Sequence, residues 1–335
     1  MTVRIGINGF GRIGRTALRA ALSSGADVEV VAVNDITDVT TLATLLEWDS
    51  LSGHLDGVRV EGDDIVVGDA RLRVFAQRDP SLIRWGEVGA DVVIESTGRF
   101  TDAASARQHL AGGARKVVVS APAKGAEVPA IVLGVNTGSV DPAAYDVFSN
   151  GSCTTNCLAP MAKVLNDAFG IESGLMTTVH AYTSDQRLHD APHSDLRRAR
   201  AAAVSTIPTS SGAAKTIGRI IPELDGKLTG FALRVPVPVG SITDLTAVLS
   251  RRASVEEVNE AFRAAAGSAE LGHYLEYSEA PIVSADIVGN PHSAIFDAPL
   301  TQVVGDQVKV LAWYDNEWGF SHRLLELAQL VGAER

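Results

Sequence analysis

Residues 149–160 read S-N-G-S-C-T-T-N-C-L-A-P and hold both cysteines of the chain, Cys153 and Cys157. Cys153 is flanked by hydroxyls and an amide: Ser152 before it, then Thr154, Thr155 and Asn156. The helix-like run that follows, 158–169, places Cys153 at a helix N-terminus. Backbone N–H groups without intrahelical partners, together with the helix dipole, stabilise a thiolate there, and a thiolate attacks carbonyl carbon. The alternative is a pair of small core cysteines. Cys157, one turn on in apolar company, fits that reading. Cys153 fits it poorly, and local chemistry leaves both readings open.

Four further groups could serve such a nucleophile. His180 stands near the end of a strand-like run, 174–181. Arg234 lies inside another, 231–237. The stretch 207–212 (I-P-T-S-S-G) reads as a Ser/Thr-rich turn that opens a helix and offers N–H and hydroxyl donors to an anion. Taken singly, His180 reads as a packed or surface histidine and Arg234 as structural. The fourth group is a dinucleotide signature. Gly9-Phe10-Gly11-Arg12-Ile13-Gly14 follows a strand, 3–8, and opens an apolar-periodic helix. Asp35 comes about 20 positions later, at the end of the next strand, where a carboxylate accepts ribose hydroxyls. A thiolate can add to an aldehyde, and the adduct can lose hydride to a nicotinamide, so the set suggests one reaction class. Spacing alone does not bring His180 or Arg234 to Cys153.

The rest of the chain must position these groups. At 335 residues with a formal net charge of −11, it is long enough for two cores. Its charge argues against nonspecific binding to nucleic acid or anionic membrane. No apolar run approaches a membrane span, and the N-terminus does not read as a signal peptide. Two cysteines four apart make no disulfide framework, which points to a reducing cytoplasm. Without Cys-x-x-Cys pairs or His-rich tracts, no metal site is expected.

Up to residue 150, strands alternate with helices. Strands are expected at 3–8, 28–33, two or three within 58–75, then 91–96, 116–120, 131–135 and 145–148. Helices are expected from 13, at 39–48 and at 102–110. This predicts an α/β, Rossmann-type, doubly wound and mostly parallel sheet. From 151 the pattern changes to long strands (174–181, 231–237, 241–250, two within 303–315). A capping box at Ser254–Glu257 opens a helix to 266. This predicts a second, α+β catalytic domain with a mixed or antiparallel sheet, 151–316. A terminal helix, 317–335, is expected to pack back on the first domain, 1–150. The basic segment 182–203 reads as a functional loop.

The whole chain resembles phosphorylating glyceraldehyde-3-phosphate dehydrogenase. The matching motifs run end to end: I-N-G-F-G-R-I-G-R at 7–15, N-D at 34–35, E-S-T-G-R-F at 95–100, V-S-A-P at 119–122 and S-C-T-T-N-C-L-A-P at 152–160. They continue with H-A-Y-T-S-D-Q at 180–186, D-L-R-R-A-R-A-A-A at 195–203, S-G-A-A-K at 211–215, L-R-V-P at 233–236 and Y-D-N-E-W-G at 314–319. The resemblance implies Cys153 as nucleophile and His180 as its proton partner. It implies Thr183, Asp185 and Arg234 for the phosphate of glyceraldehyde 3-phosphate, and Ser152, Thr154, Ser211 and Gly212 for inorganic phosphate. Gly9, Gly11, Arg12, Ile13, Gly14, Asp35, Arg78, Thr97 and Ser120 match cofactor contacts, and Asn316 the amide that orients the nicotinamide carboxamide. Segment 182–203 matches a loop between subunits of a homotetramer, which gives the Arg197–Arg200 cluster an interface role.

Ala191-Pro192 mixes the patterns of NAD- and NADP-linked members. The Asp35 carboxylate would repel a 2′-phosphate, so NAD is expected over NADP. Erythrose-4-phosphate dehydrogenase is the close alternative. A semialdehyde dehydrogenase, which also joins a dinucleotide fold to a cysteine, is a further alternative, and the stretches 180–186 and 211–215 argue against it. A non-catalytic NAD-binding or redox-sensing role is the alternative of another class.

Overall fold

The computed structural model describes residues 2–333. Met1 and the last two residues of the expected helix 317–335 lie outside the described residues. The chain forms two compact units. One comprises 1–131, 138–151 and 321–335, the other 132–137 and 152–320.

In the first unit, β1 (Val3–Asn8), α1 (Arg12–Ser23), β2 (Val28–Asn34) and α2 (Val39–Glu47) come first. A small hairpin, β3 (Trp48–Asp49) and β4 (Gly53–His54), follows. Then come β5 (Val58–Glu61), β6 (Asp64–Val67), β7 (Ala70–Phe75), β8 (Val92–Glu95), α3 (Ala103–Ala106), α4 (Gln108–Ala111), β9 (Lys116–Val119) and β10 (Val147–Ser149). The main sheet has the order β10-β9-β8-β1-β2-β7-β6-β5. Neighbours from β10 to β7 are parallel, and β7-β6-β5 is an antiparallel edge. Val92 to Ile94 and Val117 to Val119 are each at most 1% exposed. A parallel sheet covered on both faces requires such unbroken apolar runs, and each buried side chain contributes roughly 1.5–3 kcal/mol. β1 is the strand at which the winding reverses, so the crevice at the C-terminal ends of β1, β2 and β8 is where a ligand belongs.

The second unit holds α5 (Cys153–Phe169), β11 (Ile171–Ala181), β12 (Ile207–Ser210), α6 (Ala213–Ile220), β13 (Leu228–Val235), β14 (Ser241–Leu249) and α7 (Val255–Ala266). β15 (Leu275–Ser278), β16 (Ala294–Asp297), β17 (Gln302–Val304) and β18 (Gln307–Tyr314) complete its sheet. The chain ends in α8 (Trp318–Ala333). The sheet order is β12-β13-β11-β14-β18-β16-β15, with β17 on β18. It is mixed: β11–β13 and β15–β16 are parallel and the other pairs antiparallel. α5 packs over β11, β14, β16 and β18. Burial alternates along β14, as it must for a sheet with one covered face. The capping box at Ser254 and Glu257 forms as expected.

Two local expectations fail. Residues 131–135 form no strand: only Ile131 bonds to Ser149. Beyond it the side chain of Asn136 accepts from Val132 N–H at 2.8 Å, and Gly134 turns at φ +80°. Asn and Gly turn chemistry wins there over the β propensity of Ile, Val and Leu, and 132–137 belongs to the second unit. Residues 207–210 are strand β12 rather than a turn, because they pair with β13. Among the described residues, no helix is long and apolar enough to cross a membrane.

Candidate active site

The first unit carries a cleft of about 340 Å³ at the strand ends foreseen above. Of the candidate cofactor residues, Gly9, Gly11, Asp35, Arg78 and Thr97 line it. Gly9 sits at φ +92°, and a Cβ there would lie 2.7 Å from the Thr97 nitrogen. A Cβ on Gly14 would lie 2.3 Å from the Gly9 carbonyl oxygen. These two glycines therefore close the turn, whereas Gly11 meets nothing within 4 Å and leaves room for a ligand. Asp35 accepts from Phe10 N–H at 2.9 Å and Thr37 N–H at 3.0 Å. Those bonds aim its carboxylate and leave lone pairs for ribose hydroxyls. An open glycine cradle, a helix N-terminus and a fixed carboxylate fit a dinucleotide. Arg12, Ile13, Gly14 and Ser120 do not line this cleft. Arg12 is ion-paired with Asp49, and Ser120 N–H bonds the Glu95 carbonyl at 3.0 Å.

In the second unit Cys153 is the first residue of α5. Ser152 caps that helix, its hydroxyl accepting from Thr155 N–H at 3.0 Å, an arrangement worth about 1 kcal/mol. The Cys153 Sγ lies 3.3 Å from His180 Nε2. The parallel register of β11 and β13 sets His180 beside Arg234. One guanidinium nitrogen of Arg234 then lies 2.6 Å from His180 Nδ1 and 3.0 Å from the Ala181 carbonyl oxygen. Guanidinium only donates, so Nδ1 accepts and the imidazole proton sits on Nε2, facing the sulfur. Nδ1 also lies 2.7 Å from the Ala181 oxygen. Withdrawal of Arg234 would let Nδ1 carry the proton to that carbonyl and leave Nε2 a base. Nδ1 therefore has two competing partners, and an anion that drew Arg234 would decide between them.

Burial, then the Arg234 charge, holds His180 down to about 3. Burial pushes the Cys153 thiol up; the Arg234 charge and a Thr154 backbone hydrogen bond pull against it without prevailing. A helix N-terminus favours the thiolate, but here desolvation of the sulfur opposes it and prevails.

The remaining candidates divide by what they already hold. Thr154 Oγ1 and Thr178 Oγ1 each lie 2.8 Å from the Tyr314 hydroxyl. Tyr314 is buried, its phenol pushed up by that burial, and its ring meets the His180 ring edge-on at 5.9 Å. Asn316 Oδ1 accepts from Gly240 N–H and the Ser241 hydroxyl, both at 3.1 Å, so its NH₂ is the end for a ligand. Thr183 N–H bonds Gln186 Oε1 at 3.2 Å. Ser211 Oγ accepts from Ala213 N–H at 3.3 Å, and Gly212 precedes α6. Asp185 is ion-paired with Arg198 and lies 3.4 Å from His193 Nε2.

Arg198 and Tyr314 were not singled out in the sequence. An interface role is expected for the whole basic cluster, yet Arg198 differs from its neighbours. It is 21% exposed against 67% for Arg200. Its Nε donates to Thr209 at 2.8 Å, and its charge is felt at both His180 and Arg234. It is held by Thr209 and two carboxylates, Asp185 and Asp195, instead of extending into solvent. Asp185 holds Arg198 in an ion pair, and a carboxylate by itself repels phosphate. Within R-R-A-R nothing in the sequence marks which arginine turns inward. Tyr314 could have been suspected from its place at a strand end, two residues before Asn316.

Comparison with known proteins gives the family. The family profile "Glyceraldehyde 3-phosphate dehydrogenase, NAD binding domain" matches residues 3–103, and "Glyceraldehyde 3-phosphate dehydrogenase, C-terminal domain" matches 152–316. Glyceraldehyde-3-phosphate dehydrogenase 1 of Streptomyces avermitilis is 61% identical over 333 residues, 99% of each chain. Glyceraldehyde-3-phosphate dehydrogenase of Mycobacterium tuberculosis is 60% identical over 339, again 99% of each. The chain belongs to the glyceraldehyde-3-phosphate dehydrogenase family.

Proposed function

We propose that the chain oxidises D-glyceraldehyde 3-phosphate to 1,3-bisphosphoglycerate, and that Cys153 carries the acyl group between its two half-reactions. The observation that carries this reading is the 3.3 Å approach of the Cys153 sulfur to His180, with Arg234 on the other ring nitrogen. NAD, held by the glycine turn and Asp35, supplies the hydride acceptor when bound. Once the substrate phosphate draws Arg234 from His180 Nδ1, Nε2 takes the thiol proton; the Cys153 thiolate adds to the aldehyde carbon, and the carbonyl electrons become an oxyanion that takes that proton from Nε2. As the C–H bond gives up hydride, Nε2 takes that proton back and a thioester forms. An oxygen of inorganic phosphate then adds to the thioester carbonyl. The C–S bond breaks, and Cys153 leaves as thiolate.

Arg234 and Thr183 hold the substrate phosphate, with Asp185 aiming Arg198. Ser152, Thr154, Ser211 and Gly212 serve the attacking phosphate. Residues 1–150 serve the cofactor and 151–316 the chemistry. Leu188 and Leu196, each at least 76% exposed, support a homotetramer built across segment 182–203. Two free thiols suit a reducing cytoplasm.

Initial rates of NADH formation with NAD and NADP side by side, with and without phosphate, test the reaction. NAD is expected to be preferred and steady turnover to need phosphate. Full-rate turnover without phosphate would mean that water, not phosphate, discharges the enzyme.

A pH profile follows from the two shifted groups. With His180 down to about 3, imidazole is neutral throughout the neutral range, and the thiol is the group that loses its proton as pH rises. Alkylation of Cys153 by iodoacetamide should therefore accelerate toward alkaline pH, with no step near the ordinary histidine value of 6.5. A step there would mean that the resting pair is thiolate and imidazolium instead.

A further inference from the structure

Beneath the dinucleotide cleft lies a buried polar chain that the mechanism does not use. Glu95, at the end of β8, and His109, in α4, both have side chains 0% exposed. Glu95 Oε2 accepts from Asn8 Nδ2 at 2.5 Å and lies 3.0 Å from His109 Nε2. Oε1 accepts from the Thr97 backbone N–H at 2.8 Å and from the Thr97 hydroxyl. A carboxylate survives burial only when donors surround it, and here it has those four.

The indole of Trp85 fixes His109, and the Glu95 carboxylate, which only accepts, fixes Asn8 and through it Asn34. Trp85 Nε1 can only donate, and it lies 3.1 Å from His109 Nδ1. Nδ1 therefore accepts, and the ring proton sits on Nε2, aimed at Glu95. Glu95 takes the NH₂ of Asn8, so Asn8 Oδ1 accepts from Asn34 Nδ2 at 2.7 Å. Asn34 Oδ1 then accepts from Gln77 N–H at 2.8 Å, and its Nδ2 donates to the Gln77 carbonyl at 2.9 Å. Asn8, Asn34, Gln77 and Thr97 all line the cleft. One chain of bonds, centred on Glu95 with His109 and Trp85 behind it, thus decides how two carboxamides and two backbone segments face the ligand.

We propose that Glu95 and His109 are positioning residues for NAD, acting through Asn8, Asn34, Gln77 and Thr97 without touching it. The inference rests on NAD occupying this cleft. Glu95→Gln preserves shape but sets an NH₂ against one of the four donors. If Asn8 turns over to relieve that contact, its own NH₂ meets the NH₂ of Asn34, and the conflict passes on to Gln77. His109→Gln is milder, because an amide can still donate to Glu95 and accept from Trp85.

The test is calorimetric titration of NAD into the full chain and both variants, with thermal melts and initial rates alongside. For Glu95→Gln the NAD Kd should rise about tenfold, the equivalent of one buried hydrogen bond or slightly more, while kcat at saturating NAD stays within about twofold. His109→Gln should show a smaller rise. Equal Kd in the parent chain and a folded Glu95→Gln overturns the inference alone. A parent chain that binds no NAD overturns the cofactor reading with it. Should Glu95→Gln fail to fold, His109→Gln decides: a raised Kd with parental kcat supports the proposal, and an unchanged Kd overturns it. Affinity and kcat falling together in step with melting temperature marks a merely structural pair and also overturns it.

Discussion

Replacing Cys153 by serine lowers aldehyde oxidation by at least about four orders of magnitude and leaves NAD binding at the parental level. The hydroxyl keeps the place of the sulfur at the head of α5, 3.3 Å from His180, so geometry is not what is lost. What is lost is a nucleophile that can ionise near neutral pH and leave again from an acyl intermediate. NADH formation measured in the variant, with a parallel NAD titration, checks this. Residual activity within tenfold of the parent chain would place the chemistry elsewhere.

The second large effect is expected with a substrate that lacks its phosphate. Arg234 donates to His180 Nδ1 in the free protein, which pins the imidazole proton on Nε2. Glyceraldehyde cannot draw the guanidinium away, so it should lose kcat as well as KM, with kcat/KM down by roughly three orders of magnitude. Added phosphate should restore part of the kcat by occupying Arg234. Arg234→Leu should bring the two aldehydes to within about tenfold of each other, because it removes both the phosphate contact and the lock on Nδ1. Steady-state rates on both aldehydes measure this. A loss confined to KM would show that Arg234 only binds, and that His180 does not depend on it.

The legible and illegible parts of this protein divide along physical lines. The glycine turn at 9–14, the strands around it and the helix after Cys153 follow from local rules: period, caps and φ. So does the capping box at Ser254. The meeting of Cys153, His180 and Arg234 does not, since it depends on the β11–β13 register, and strand pairing over 54 residues leaves no mark in spacing. The resemblance supplied those residues. It did not supply the direction of their proton affinities, which burial sets. The expected strand at 131–135 failed because one asparagine and one glycine impose a turn on an apolar run. No strand is expected at β15 or β16. They lie in a stretch, 275–297, that is short on clear alternation. Arg198 was hidden among equivalent-looking arginines, and Glu95 and His109 stand 14 residues apart in unrelated motifs, joined only by the fold.

The most direct measurement of the central claim is the covalent state of Cys153 after mixing the full chain with NAD and glyceraldehyde 3-phosphate in phosphate-free buffer, followed by acid quench and mass spectrometry of its peptides. A 3-phosphoglyceryl thioester on Cys153 is expected, formed in step with a single burst of NADH and discharged as 1,3-bisphosphoglycerate when phosphate is added. Steady NADH release with Cys153 unmodified would contradict it.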